Sequence, residues 1–229
     1  IGSARIIKML NVVEDNLVVE SKGIYSIENY LTSRRLMYWQ VYLHKTAVAC
    51  EKVLINALNR AKFLRMTGHD IFASPSLDYF LCNNIDASHF HTSPEALEHY
   101  SLLDDNDIWC ALKVWQKSND KILALLSSDV ITRHIFKVEV SDSPFPSDYV
   151  CQIKEQLASH FNISPDDTKD LYSIDTVQKD MYDINDDHIS ILYKDGTLRD
   201  IAEASDILNI SLLSRKVKKH YFCYQKIPD

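Results

Sequence analysis

Four glycines in 229 residues, at Gly2, Gly23, Gly68 and Gly196, constrain this chain more than any other feature of its sequence. A loop that cradles phosphate with backbone amides needs clustered glycines, because a side chain would hold the anion off the main chain. No two of these four lie close enough for G-x-G-x-x-G, G-x-x-x-x-G-K or G-x-S-x-G. Dinucleotide-binding, P-loop and α/β-hydrolase architectures are therefore excluded. Long stretches free of glycine and proline are instead free to form helix.

The hydrophobic pattern predicts an α+β chain. Residues 5–20 read as a β-hairpin, two β-branched runs flanking the turn-prone Glu14-Asp15-Asn16. After Gly23, Ser26 is a candidate N-cap for a helix running to about Met66. Its expected buried stripe is Leu36, Leu43, Ala47, Cys50, Leu54, Leu58 and Ala61. Ser93-Pro94 predicts a helix start, with helices over 94–102, 105–117 and 120–127, and the Asp104–Asp107 run offsets a helix dipole. Beyond 130 the order becomes strand 134–140, helix 147–161, strand 170–177, strand 187–194, helix 198–213 and strand 217–226. That β-α-β-β-α-β series predicts a ferredoxin-like lobe over 131–229, after a mostly helical region with its hairpin over 1–130.

Five cysteines (Cys50, Cys82, Cys110, Cys151 and Cys223) form no C-x-x-C pair, which excludes a zinc ribbon or a thioredoxin-type site. They are expected to be reduced and mostly buried, and no apolar run approaches the roughly 20 residues a membrane-spanning helix needs. A cytoplasmic protein is the expectation. A chain opening on Ile1 is expected to be part of a longer protein.

Charge is unevenly placed. The net charge is −7, yet residues 33–66 carry seven basic side chains against Glu51 alone, so this stretch is +6 and the remainder −13. At about 100° per residue, Arg34, Tyr38, Tyr42 and Lys45 fall in one sector of a helix. Guanidinium and ammonium groups grip phosphate, and tyrosine stacks on a ring or bonds a sugar hydroxyl, so a nucleotide fits this mixture. A solvated cationic face whose tyrosines pack on a neighbouring helix would give the same pattern.

The block SRRLMYWQVYLHK (Ser33–Lys45) resembles the helix that follows the metal site in HD-domain deoxynucleoside triphosphate triphosphohydrolases, the dGTPase-like enzymes. The hairpin RIIKMLNVVEDNLVV is similar to that family's too. The resemblance implies that Arg34 contacts the triphosphate, that Tyr42 lies against the sugar, and that Tyr38 occupies a substrate-side position often held by His. His44 and Lys45 match a pair at a regulatory nucleotide site or subunit contact in vertebrate members. The family binds one or two divalent metals (Mn, Mg, Fe or Zn) through a His, a His-Asp doublet and a later Asp, and the metal lowers the pKa of the attacking water. That set is expected upstream of Ile1, leaving this chain without catalytic or metal residues and inactive alone. A homo-oligomer acting on a deoxynucleoside triphosphate is implied, with no membrane partner, and nucleic-acid binding is disfavoured by the net charge.

Other clusters are weaker. His69-Asp70 lies between Gly68 and Pro75 rather than inside an apolar helix, and His89, His91, His99, Glu95 and Glu98 lack the i, i+4 histidine pair of a zincin-type site. The acidic run Asp166-Asp167, Asp180, Asp183 and Asp186-Asp187 has no calcium-loop glycine, and Arg215, Lys216, Lys218 and Lys219 fit a helix C-terminus. A non-enzymatic ferredoxin-like ligand-binding or dimerisation module is the alternative. An H…HD…D series in the sequence before Ile1 would discriminate the two.

Overall fold

The computed structural model describes residues 2–179, 188–205 and 217–227, with the backbone alone at 178, 179 and 217. The chain divides into two compact units: residues 1–44 with 176–219, and residues 45–175 with 220–229. Each is built from segments distant in sequence, and the division expected at 130/131 falls inside the second.

The first unit opens with α1 (Ser3–Lys8), then strands β1 (Leu10–Val13) and β2 (Asn16–Glu20). The hairpin forms, but Arg5–Lys8 belong to the helix before it and not to a strand. Glu14 and Asp15 have φ of 49° and 60°. Positive φ at both central residues is what a two-residue type I′ turn requires, and its twist matches that of the strands. Asn16 holds the turn by donating from Nδ2 to the Glu14 carbonyl at 2.9 Å. Gly23 allows a close approach, since a Cβ there would lie 2.7 Å from Val19 Cγ1.

Helix α2 (Ile24–Met37) then begins at Ile24 with Gly23 as N-cap and no side-chain cap, so Ser26 lies within the helix. The predicted single helix to Met66 is interrupted. A π-helical turn covers Tyr38–Tyr42, closed by Leu43 N–H donating to the Tyr38 carbonyl at 2.8 Å, and a new helix α3 (Lys45–Met66) follows. No glycine or proline causes this break. The run Tyr-Trp-Gln-Val-Tyr is aromatic and β-branched, with weak preference for helix.

In the second unit α3 packs against α4 (Pro75–Cys82) and α8 (Lys121–Thr132). The short α5 (His89–Thr92), α6 (Pro94–Leu102) and α7 (Asp105–Trp115) lie between them in sequence. Ser93 caps α6 by accepting from Ala96 N–H, and Asp104 with Asp107 forms a capping box on α7. Strand β3 (Lys137–Ser141), helix α9 (Ser147–Phe161) and strand β4 (Tyr172–Lys179) follow.

The expected stripe on α3 is largely displaced. Leu36 and Cys50 are exposed, whereas Val48, Ala49, Val53, Asn56, Ala57, Arg60, Ala61 and Leu64 are buried. The true stripe was hidden because two of its members are polar and become buriable only through partners supplied by distant segments. The cysteines are likewise corrected: Cys50, Cys82, Cys110 and Cys151 are exposed, and Cys223 alone is buried. Helical position decides this, since the first four lie on outward faces, and desolvation pushes the Cys223 thiol up to about 11.

Strands β5 (Ser190–Leu192), β6 (Leu198–Asp200) and β7 (Val217–Tyr224), with a turn of helix α10 (Ile201–Ala204), complete the described residues. The single ferredoxin-like lobe is not confirmed. Strands β5 and β6 extend the N-terminal hairpin into a sheet of order β1-β2-β5-β6, in which β2 and β5 run parallel. A separate sheet has the order β3-β7-β4. Val19, Ile27, Leu31, Ile191, Ile201 and Ala204 form a core cluster of the first unit, so the hairpin shares its core both with the adjacent α2 and with β5 and α10 some 170 residues later. Of the helix expected over 198–213, residues 198–200 are strand and 201–204 a turn of helix, and 206–213 lie outside the described residues.

Candidate functional site

The last turn of α2 and the π-helical turn bring three predicted residues together. Arg34, Tyr38 and Tyr42, with Tyr30 and Met37, line a pocket of about 320 Å³. The Arg34 guanidinium lies 5.9 Å from the centroid of the Tyr38 ring, and the Tyr38 and Tyr42 rings are 5.4 Å apart at 50°. In a turn closed i to i+5, residues four apart lie nearly one above the other, which sets the two phenols side by side. Tyr42 is 56% exposed. A cation beside a pair of aromatic rings can bind an anion and a flat or hydroxylated group at once.

Lys45 is not part of this pocket. It opens α3, across the unit boundary from exposed His44, so the expected four-residue sector on one continuous helix does not exist. His44 and Lys45 are neighbours in the chain that belong to different units.

The histidines singled out in the sequence are occupied locally. His69 follows the end of α3, where its Nδ1 lies 3.1 Å from Thr67 Oγ1 and 3.3 Å from the Leu64 carbonyl. Asp70 beside it is exposed. His89 is bonded to Asp86 at 2.9 Å, and His99 stacks on Tyr79 with centroids 4.4 Å apart. Among the described residues no three His, Cys, Asp or Glu side chains are grouped to hold a metal ion. Asp180, Asp183, Asp186 and Asp187 lie outside the described residues, as do Arg215 and Lys216. Lys218 and Lys219 are on β7.

Sequence reasoning missed two part-buried networks in the second unit. Arg60, 6% exposed, grips Asp120 with two bonds of 2.6 and 3.1 Å and meets Asp167 at 2.6 Å and Asp170 at 3.1 Å. Burial alone would lower its pKa, but the bonds to Asp120 and Asp167 outweigh it and hold the guanidinium charged. The Asp167 carboxyl is drawn down by its bond from Arg60, whereas burial pushes that of Asp170 up. Asn56 donates to the carbonyls of Asp170 and Tyr172, tying α3 to the segment before β4. The second network centres on Glu139, which accepts from Tyr224 at 2.7 Å and Tyr149 at 3.0 Å and pairs with Lys137 at 3.1 Å. Burial works to raise the Glu139 carboxyl, and these three donors overcome it and lower it. No sequence spacing announces either network, because the partners lie up to 110 residues apart.

Comparison with known proteins adds four findings. Residues 1–73 match the model of a family described as the HD associated region. The chain is 27% identical over 233 residues to the uncharacterized protein YwfO of Bacillus subtilis, covering 97% of this chain and 50% of that protein. Its fold superposes with a TM-score of 0.92 on a crystal structure of a phosphohydrolase from Bacteroides thetaiotaomicron, 57% identical, covering 99% of this chain and 56% of that one. A hypothetical protein from Aquifex aeolicus, 21% identical, shares the fold with a TM-score of 0.57. The chain thus spans about half the length of the relatives it matches. The family match and the phosphohydrolase neighbour support an HD-type phosphohydrolase. No helix among the described residues is long and apolar enough to cross a membrane.

Proposed function

We propose that this chain is the C-terminal portion of an HD-domain phosphohydrolase that cleaves a deoxynucleoside triphosphate into deoxynucleoside and triphosphate. The observation that carries the reading is the pocket in which Arg34, Tyr38 and Tyr42 meet, within the segment matched by the HD associated region. Arg34 donates to oxygens of the phosphate chain and offsets charge there. Tyr42 packs against the sugar, and Tyr38 holds the guanidinium in place from below while flanking the same ligand. The divalent metal this chemistry needs would be held by residues other than those described, so the part assigned here is binding and orientation. His44 and Lys45 are read as a regulatory nucleotide or subunit contact, and the whole protein as a homo-oligomer.

The test uses the complete protein, supplied with each deoxynucleoside triphosphate and Mn²⁺, with deoxynucleoside and triphosphate separated by chromatography. Triphosphate is the expected product. Arg34→Ala should cut kcat/KM by about 10- to 150-fold, since a charge-assisted phosphate contact is worth roughly 1.5–3 kcal/mol, and should leave thermal unfolding unchanged. Release of orthophosphate instead of triphosphate, or wild-type kinetics in the variant, refutes the assignment.

A further inference from the structure

The second unit buries an amide whose bonding is half complete. Gln225, 6% exposed just past the end of β7, donates from Nε2 to Oδ2 of Asp129 on α8 at 2.8 Å. Its Oε1 is sealed from solvent and meets no donor among the described residues. A buried acceptor left unpaired gives up its hydration and gains nothing in exchange, which is why nearly all such atoms are bonded. Turning the amide over cures nothing, because its oxygen would then face the carboxylate, acceptor against acceptor.

Asp129 is itself buried, and one proton would complete both groups. A carboxylic acid and a primary amide match: the amide N–H donates to one carboxyl oxygen, and the acid O–H donates to the amide oxygen. Burial already pushes the Asp129 carboxyl up, outweighing the bond from Gln225 and the attraction of His134 and Lys226, both exposed. The segment before β4 and helices α3 and α7 also pack on α8. From α3, Arg60 bonds Asp167 and Asp170 of that segment and Asp120 at the opposite end of α8. On α7, Asp105, Cys110 and Lys113 are exposed, and Asp107 is bonded into the cap of its own helix.

We propose that Asp129 and Gln225 are a proton-operated tie between α8 and the C-terminal strand, in which a proton taken from solvent onto the carboxyl donates to Gln225 Oε1 and tightens the joint. The folded chain then holds this proton more strongly than the unfolded chain. The added stability is fully present below the ordinary carboxylate range, about pH 4, and is lost as pH rises through the raised value. In alkali the carboxylate keeps one bond, Oε1 is again without a donor, and β7 is held less firmly. The proposal does not rest on the nucleotide reading.

Cys223 reports on the joint, because it is fully buried two residues before Gln225, on the same face of the chain, and reacts only when the strand leaves. The complete protein is treated with 4,4′-dithiodipyridine, which reacts with thiols in mild acid as well as at neutral pH, and modification of Cys223 is followed by peptide mapping. Asp129→Asn carries a permanent N–H where the acid would carry its O–H. It should slow Cys223 modification about 2- to 12-fold at pH 8, the worth of one neutral hydrogen bond, and the ratio to wild type should fall toward one near pH 4.5. Comparing the two proteins at each pH cancels the reactivity of the thiol itself. Wild-type protein labelled with ¹³C-aspartate should also keep a protonated carboxyl above about pH 5, seen in the infrared and missing from Asp129→Asn. Equal rates at pH 8, a ratio that does not change with pH, or faster modification in the variant would overturn the proposal. So would a wild-type spectrum in which every aspartyl carboxyl ionises in the ordinary range, a result that needs no variant.

Discussion

The two units handle polar groups in opposite ways. The second buries Arg60 against the buried Asp170 and the half-buried Asp120 and Asp167, bonds the half-buried Glu139 to two phenols, and closes over Trp115, Leu123, Leu126 and Phe222. The first has a core cluster of small or aliphatic residues and leaves Ile7, Val12, Leu17, Met37 and Tyr42 exposed. A buried charge network fixes one arrangement of its elements, because every alternative leaves a charge unpaired. Exposed apolar side chains add little to the stability of the first unit. The second unit reads as scaffold, and the first holds the Arg34 pocket.

Removal of the buried cation is the strongest way to break that contrast. Arg60→Met should destabilise the second unit by about 3–5 kcal/mol, because it leaves Asp120, Asp167 and Asp170 crowded without their counterion. Urea unfolding monitored at Trp115, which is sealed in the same unit, reads this directly. A loss below about 1 kcal/mol would mean that the network is dispensable and the contrast superficial.

A smaller effect should come from Tyr224. Burial and the bond to Glu139 push its phenol up to about 12 from 10.0. The folded state therefore holds this proton more tightly than the unfolded chain. Its contribution is fully present below about pH 10 and is lost as pH rises through about 12. Tyr224→Phe should cost about 1 kcal/mol at pH 8, since Glu139 keeps Tyr149 and Lys137, and the gap to wild type should narrow between pH 10 and 12. Unfolding midpoints at pH 8 and pH 11.5 check the sign. A gap that widens with pH would place the phenol on the wrong side of the linkage.

The smallest effect is expected on the presenting unit. Val12, 63% exposed on β1, should accept Thr within about 0.5 kcal/mol, as measured by the thermal midpoint. A larger loss would show that the hairpin face is part of a packed core after all.

How far the sequence could be read follows from the same contrast. Local signals were legible: the Glu14-Asp15 turn, the Ser93-Pro94 start of α6, the Asp104 capping box and the 147–161 helix all depend on residues a few positions apart. Arg34, Tyr38 and Tyr42 were legible for the same reason, being four apart on adjoining turns. The stripe of α3 was not, because Asn56 and Arg60 read as solvent-facing until Asp120, Asp167, Asp170 and Tyr172 are brought to them. Nor was the partition of the strands. Period-two patterns mark β5 as a strand, but nothing local says that its neighbour is β2 rather than β4.

That partition has a consequence for how the polypeptide comes into being. On a ribosome, β2 emerges long before Ile191 and Leu192, the residues it must pair with, and Phe222 arrives after the Tyr149 ring it packs against. Neither unit can close on what has been made so far: the hairpin has α1 and α2 beside it early, but the part of its core that β5 and α10 supply waits through most of synthesis. Such a nascent chain should depend on holding factors until β7 is released, and shortening it from the C-terminal side past Tyr224 should leave both units incomplete rather than trim one of them.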